Sequence, residues 1–284
     1  MITPNPTDGT EKTVSKTIFI TGSSSGIGRA AASHFHRAGW NVIATMRDPE
    51  SEKDLSTLEN VLVARLDVQD AGSIASAVDA GLERFGQIDV LLNNAGYGAY
   101  GLLEATPMDK IRRQFDVNVI GLLETTKAVL PHLRANGGGT IVNISSMGGK
   151  VTFPLGTLYH GTKFAVEGLS EALHYELAAI GVKVKIVEPG VVRTNFGGRS
   201  LDFTNDTNLT EYQKVVDAFL TTQAQQATPV DEPEVVAEVV YQAATDGTDQ
   251  LRYAAGPYAA GLIANRAAVD DATFFGAVRQ QFGI

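Results

Sequence analysis

From Thr17 onward the chain repeats one pattern: a short apolar run, a turn, then a stretch of helical length. The apolar runs are TIFIT (17–21), NVIAT (41–45), VLVARL (61–66), IDVLLN (88–93), TIVNIS (140–145) and VKVKIVEP (182–189), with LRYAA (251–255) expected as an edge strand. Between them lie a helix to about Ala38, a short polar helix from Glu50 to Leu58, and longer ones from Gly72 to Phe85 and Met108 to Arg134. A helix carrying Tyr159 runs to about Ile180, another spans Pro233 to Thr245, and two more helical stretches finish the chain. Neighbouring parallel strands need a long crossover, which a helix supplies. The alternation therefore predicts an α/β fold, a Rossmann-like doubly wound parallel sheet of about seven strands with helices on both faces and right-handed crossovers. No composition break marks a second domain, so residues 17–284 read as one domain after a flexible polar tail, 1–16. The irregular segment 191–228 reads as a substrate lid.

Composition narrows the function. A formal charge of −9 with no basic cluster speaks against a nucleic-acid surface. The absence of cysteine removes disulfides, thiolate nucleophiles and cysteine metal sites, and no metal site is expected. No apolar run approaches the ~18 residues of a membrane span. The N-terminal MITPNPTDGTEKTVSK lacks the apolar centre of a signal peptide, so a cytoplasmic protein is expected.

Two stretches carry chemistry. Thr21–Gly22–Ser23–Ser24–Ser25–Gly26–Ile27–Gly28 joins the first strand to the first helix. Small residues there let the backbone approach a pyrophosphate, and the helix N-terminus offers oriented N–H groups. The same residues spell G-x-S-x-G, a hydrolase nucleophile elbow with Ser24 as nucleophile. That reading is weakened because His132, His160 and His174 all fall within helical stretches, not on a loop beyond a late strand. In the second stretch, Tyr159 and Lys163 stand four apart near the start of a helix, so their side chains leave one face. Ser146, 13 residues before the tyrosine, ends the preceding strand, and the three groups can converge. A nearby ammonium favours the phenolate and lowers the tyrosine pKa toward a useful range. Ser146 would hold the same substrate oxygen by a hydrogen bond.

Taken together, these motifs resemble the short-chain dehydrogenase/reductase family, strongly from Thr17 to about Thr194 and by fold beyond it. Gly22, Gly26 and Gly28 match its T-G-x-x-x-G-x-G cofactor turn, which includes Ser24, Ser25 and Ile27. Asp67 and Val68 match the pair that flanks the adenine, and Asn94, Ala95 and Gly96 complete its N-N-A-G element after Asn93. Pro189, Gly190, Val192 and Thr194 fall in the segment that receives the nicotinamide carboxamide. The resemblance implies a catalytic set of Asn118, Ser146, Tyr159 and Lys163, with Tyr159 and Lys163 also holding the cofactor and Asn118 anchoring a water that links Lys163 to solvent. His160, Gly161 and Thr162 stand where the family has small residues and a serine. Thr162 keeps the hydroxyl, and His160 is expected to point away from Tyr159 as a surface or packing residue.

At the end of the second strand, a carboxylate would bind the ribose hydroxyls and repel a 2′-phosphate. This chain has Met46 and then Arg47, whose planar fork suits a phosphate, with Ser25 adding a hydroxyl. NADP(H) is therefore expected over NAD(H). The competing reading leaves Arg47 solvated and turns Asp48 inward to the ribose. The expected activity is hydride transfer between a nicotinamide and a carbonyl or secondary alcohol. Expected substrate walls are Met147, Val151, Phe153, Pro154 and Leu155, then Tyr97, Tyr100 and Leu102, then the lid with Phe196, Phe203 and the run Tyr212–Phe219. These favour a lipophilic or aromatic small-molecule substrate, and the S-x-G-G and ATMRD segments resemble those of hydroxysteroid and retinol dehydrogenases. Alternatives are a non-catalytic NADP-binding sensor or scaffold on the same fold, or an NAD-preferring alcohol dehydrogenase. A homodimer or homotetramer is expected from family habit.

Overall fold

A computed structural model describes residues 15–194, 201–225 and 229–284. All but Ser15 and Lys16 of the expected tail, and Phe196 and Arg199 of the expected lid, lie outside them.

Seven strands form one wholly parallel sheet in the order β3-β2-β1-β4-β6-β7-β9. They are β1 (Thr17–Thr21), β2 (Asn41–Met46), β3 (Val61–Arg65), β4 (Val90–Asn93), β6 (Gly139–Ile144), β7 (Val182–Pro189) and β9 (Arg252–Ala255). The order reverses between β1 and β4, where a doubly wound sheet leaves a crevice at its carboxyl edge. The strands are apolar throughout because helices cover both faces. Alternation then divides the core. Ile18, Ile20, Val42, Ala44, Val90 and Leu92 face α1 (Gly26–Arg37) and α7 (Pro233–Thr245). Phe19, Ile43, Leu91, Ile141 and Val184 face the opposite way, toward α2 (Ala71–Phe85), α4 (Gly121–Ala135) and α5 (Thr157–Ala178).

Three features differ from the pattern read above. The polar helix over 50–58 is instead two single 3₁₀ turns, Pro49–Ser51 and Leu55–Thr57. Glu52, buried between them, accepts the N–H groups of Asp54 and Leu55 and pairs with Arg29 of α1, so a buried carboxylate organises the segment. The helix over 108–134 is interrupted: α3 (Met108–Phe115) and α4 are joined by one turn of π geometry, Asp116–Ile120. A second, two-stranded parallel sheet also forms, from β5 (Gly98–Gly101) and β8 (Leu201–Thr204). β8 begins a segment that continues into α6 (Thr210–Gln225) and covers one end of the crevice. It is tied down by Lys110 Nζ to Asp202 at 2.8 Å and by the Tyr212 hydroxyl donating to Glu104 at 2.8 Å. The last helices, α8 (Pro257–Ala268) and α9 (Asp271–Phe282), bring Phe282 within 6.0 Å of the Phe219 ring on α6.

A buried polar chain fastens helices to the sheet beneath the crevice. Asn93 Nδ2 donates to Thr126 Oγ1 at 3.0 Å and to Asn143 Oδ1 at 2.9 Å, and Asn143 Nδ2 donates to Ser170 Oγ at 2.9 Å. Each such group is costly to strand in a dry interior. Asn143→Ala is expected to lower stability by ~1–3 kcal/mol for each polar group left unpaired. Urea unfolding of the variant would register this as an earlier midpoint.

Candidate active site

A cavity of about 810 Å³ opens along the carboxyl edge of the sheet, within the size range of cofactor and ligand sites. Loops leaving β1, β2, β3, β4, β6 and β7 all reach it. The sequence-predicted residues Ser24, Ser25, Ile27, Arg47, Asp67, Val68, Ala95, Gly96, Ser146, Tyr159, Lys163 and Thr194 line one continuous surface, together with Gly22, Gly26, Asn94, Pro189, Gly190 and Val192. Gly28 and Asn118 stand behind that surface.

At one end lies the glycine turn. Gly22 and Gly26 adopt φ of +74° and +56°, which side chains disfavour. A Cβ on Gly28 would fall 2.3 Å from the Gly22 carbonyl oxygen and 2.5 Å from Asn94 Nδ2. The turn is thus a backbone-walled trough at the N-terminus of α1, suited in shape and polarity to a pyrophosphate. Asn94 stabilises it from beneath. Its Nδ2 donates to the carbonyls of Thr21 and Gly22 at 2.9 and 3.0 Å, and Thr21 Oγ1 accepts the N–H groups of Asn94 and Ala95. Arg47 is exposed on the wall beside the trough, Met46 is buried, and Asp48 is exposed and outside the cavity.

At the other end are the three convergent groups. Ser146 caps a 3₁₀ turn, Met147–Gly149, and its Oγ accepts the Gly148 N–H at 3.0 Å. A hydrogen bond joins the Ser146 hydroxyl to the Tyr159 phenol. Lys163 Nζ donates to the Ile144 carbonyl at 2.9 Å and lies 5.8 Å from the Tyr159 ring centre. The electrostatics correct the expectation that the ammonium lowers the phenol pKa. Burial pushes Tyr159 above its ordinary value, and the opposing effect comes from the Ser146 hydrogen bond. Burial also pulls Lys163 down to about 8, against the pull of Glu167.

Asn118 sits in the π turn with its side chain fully engaged. Its Oδ1 accepts the Tyr97 N–H at 3.0 Å, and its Nδ2 donates to the Tyr97 carbonyl at 2.9 Å and to Thr162 Oγ1 at 3.1 Å. The amide therefore locks the loop after β4 to α5. Of the expected substrate walls, Met147, Phe153, Tyr97, Tyr100 and Phe203 line the cavity. Val151 and Leu102 are buried in the protein instead. Phe219 backs the wall, its ring 6.2 Å from Tyr100 and 6.4 Å from Phe203. Arg113 of α3, which no local motif marks, also faces the cavity, as do Leu201 and Asp202 of β8 within the expected lid. His160 is buried and lines the cavity, so it is not a surface residue.

Behind Lys163, one turn along α5, buried Glu167 stands against buried Glu188 of β7. Arg252 Nε stands 2.9 Å from Glu167 Oε2 and 3.6 Å from Glu188 Oε1. Burial, and then the Glu167 charge, push Glu188 up to about 7 despite Arg252 and Lys150. The folded state thus holds a proton on this group between its ordinary value of 4.5 and about 7, and ionisation above that range costs stability. Glu188→Gln is expected to be more stable than the wild type at pH 8, by on the order of 1–3 kcal/mol, with the advantage shrinking toward pH 4.5. Thermal unfolding at the two pH values measures it; the same difference at both would contradict the sign.

A family profile described as short chain dehydrogenase matches residues 16–204. An uncharacterised oxidoreductase of Schizosaccharomyces pombe is 49% identical over 242 residues, covering 84% of this chain and 100% of that protein. A 3-ketodihydrosphingosine reductase of Bacteroides thetaiotaomicron is 37% identical over 204 residues, 72% of each chain. The crystal structure of a short-chain dehydrogenase from Streptomyces avermitilis superposes with a TM-score of 0.79 at 37% identity, covering 89% of this chain and 93% of that one. With the parallel sheet and the cavity at its switch point, these similarities show that the chain belongs to the short-chain dehydrogenase/reductase family of NAD(P)-dependent oxidoreductases.

Proposed function

We propose that this protein is an NADP(H)-preferring oxidoreductase that moves a hydride between the nicotinamide and a ketone, aldehyde or secondary alcohol of lipophilic or aromatic character. The observation that carries the reading is one cavity with a backbone-walled trough at one end and Ser146, Tyr159 and Lys163 at the other. When bound, the nicotinamide supplies or accepts the hydride. Tyr159 gives its proton to the substrate oxygen in reduction and takes it back in oxidation. Ser146 donates a hydrogen bond to that oxygen. Lys163 returns a proton to Tyr159 and holds the nicotinamide ribose, while Asn118 fixes the loop and helix around them. The glycine turn holds the pyrophosphate, Asp67 and Val68 flank the adenine, and Pro189, Gly190, Val192 and Thr194 meet the carboxamide.

Arg47 favours the phosphorylated cofactor because it lines the cavity with no ion pair among the described residues, whereas Asp48 lies outside. The aromatic wall of Tyr100, Phe153 and Phe203 favours a bulky apolar substrate, as does the likeness to a reductase of a lipid ketone. Residues 191–228 act as the substrate lid. A homodimer or homotetramer in the cytoplasm completes the proposal, supported by exposed Phe115, Ile120, Phe164 and Tyr175 on adjoining faces of α3, the π turn and α5.

Turnover of NADPH, with NADH in parallel, across bulky apolar and small polar ketones and aldehydes tests the reading. NADPH-selective reduction of bulky apolar carbonyls is expected. Arg47→Ala should weaken NADPH binding ~10–100-fold, as loss of a charged hydrogen bond implies, and leave NADH nearly unchanged. Equal losses for both cofactors would remove Arg47 from the explanation.

A further inference from the structure

His160 follows Tyr159 directly on α5, and its ring turns inward, 4% exposed, beneath the loop that joins Ser146 to the helix. Both ring nitrogens are engaged. The Phe153 N–H donates to Nε2 at 3.1 Å, and Nδ1 lies 2.9 Å from the Gly148 carbonyl oxygen. Because Nε2 accepts, the neutral ring must carry its proton on Nδ1 and donate it to Gly148. The ring fits between two glycines. A Cβ on Gly148 would fall 2.9 Å from Nδ1, and a Cβ on Gly156 would fall 2.3 Å from Cδ2. Between these glycines Leu155 takes φ +62°, a conformation a leucine disfavours, and its carbonyl accepts the Gly101 N–H at 2.8 Å. The loop is therefore held in place by its neighbours, and the imidazole grips it at two points.

The same bonds reach the proposed reaction centre. Gly148, which accepts from His160, donates its own N–H to Ser146 Oγ, and Ser146 is hydrogen-bonded to Tyr159. With one lone pair of the serine oxygen fixed by Gly148, its single hydroxyl hydrogen is directed into the cavity, where either the phenol oxygen or a bound substrate oxygen accepts it. Phe153, held by Nε2, walls the cavity. Resting on the oxidoreductase reading above, we infer that neutral His160 is a positioning residue. It aims the Ser146 hydroxyl through Gly148, shapes the substrate wall through Phe153, and releases both when it gains a proton. An imidazolium has two N–H donors, so protonation sets Nε2–H against the Phe153 N–H. The titratable groups around the ring are Tyr100 and Tyr159, whose phenols are kept neutral by burial, with Lys163 beyond Tyr159. In keeping with this setting, burial pulls His160 below its ordinary value of 6.5.

The tautomer can be read without turnover, by ¹⁵N NMR of histidine-labelled protein from pH 5 to 8, with H160A assigning the resonance. An Nδ1–H tautomer that titrates below 6.5 is expected. An Nε2–H tautomer, or a ring that titrates freely at its ordinary value, overturns the inference even if no substrate is ever found. In kinetics, H160A should lose ~10–100-fold in kcat/KM, on the scale of one or two buried hydrogen bonds, with the NADPH Kd unchanged. H160N places an amide N–H near the Nδ1 position. It should recover much of kcat but not KM, and should lose the fall in activity on the acid side. Wild-type kcat/KM in H160A with the acid-side fall intact would also overturn the inference. If H160A does not fold, the wild-type tautomer and the H160N profile still decide.

Discussion

Every strand of the main sheet runs in one direction, and that single constraint sets the rest of the molecule. A parallel pair cannot be closed by a tight turn, so each strand hands the chain to a crossover and each carboxyl end opens on the same edge. Thr21, Met46, Asn93, Ile144 and Pro189 all end strands there. The groups that matter to the proposed chemistry sit on or beside these exits, and several are fastened to them. Lys163 donates to the Ile144 carbonyl, Asn94 to the carbonyls at the end of β1, and Asn93 joins the polar chain between β4, β6 and the helices. The floor of the crevice is thereby tied to the strand ends of a close-packed sheet.

Burial governs the chemistry within that crevice. It moves Tyr159 up, Lys163 down to about 8 and His160 down, so each is biased toward its neutral form. The order of the first two has a consequence. With Lys163 pulled down and Tyr159 pushed up, the ammonium is the stronger acid of the two, which suits it to serve as a proton source in the proposed reaction. The Glu167–Glu188 pair lies on the far side of Lys163, and Glu167 is the charge that opposes the effect of burial on it.

The sheet was legible in the sequence because parallel strands covered on both faces are short continuous apolar runs, and the turns between them carry glycine. β5 and β8 were not legible. Each has four residues, GAYG is rich in glycine, and their pairing spans about a hundred residues of chain. The π turn at Asp116–Ile120 was hidden for a different reason, since its residues keep a helical pattern. Tyr159 and Lys163 were readable from helical spacing, and Ser146 from its place after a strand. The engagement of Asn118 with Tyr97 and Thr162 depends on a loop folding back over two helices, which no spacing reveals. His160 illustrates the same limit. Helix geometry turns it away from Tyr159 along the axis, yet the loop from Met147 to Gly156 closes over it and makes an apparent surface position a buried one.

The proposed reaction turns on the Tyr159 hydroxyl as the group that transfers the proton. Its most direct test is Tyr159→Phe, which keeps the ring and removes only the hydroxyl. Turnover and NADPH affinity should be measured on the same preparation. Turnover should fall by at least ~100-fold, the scale of a lost general acid, while the cofactor Kd stays near that of the wild type. Near-normal turnover with normal cofactor binding would contradict it.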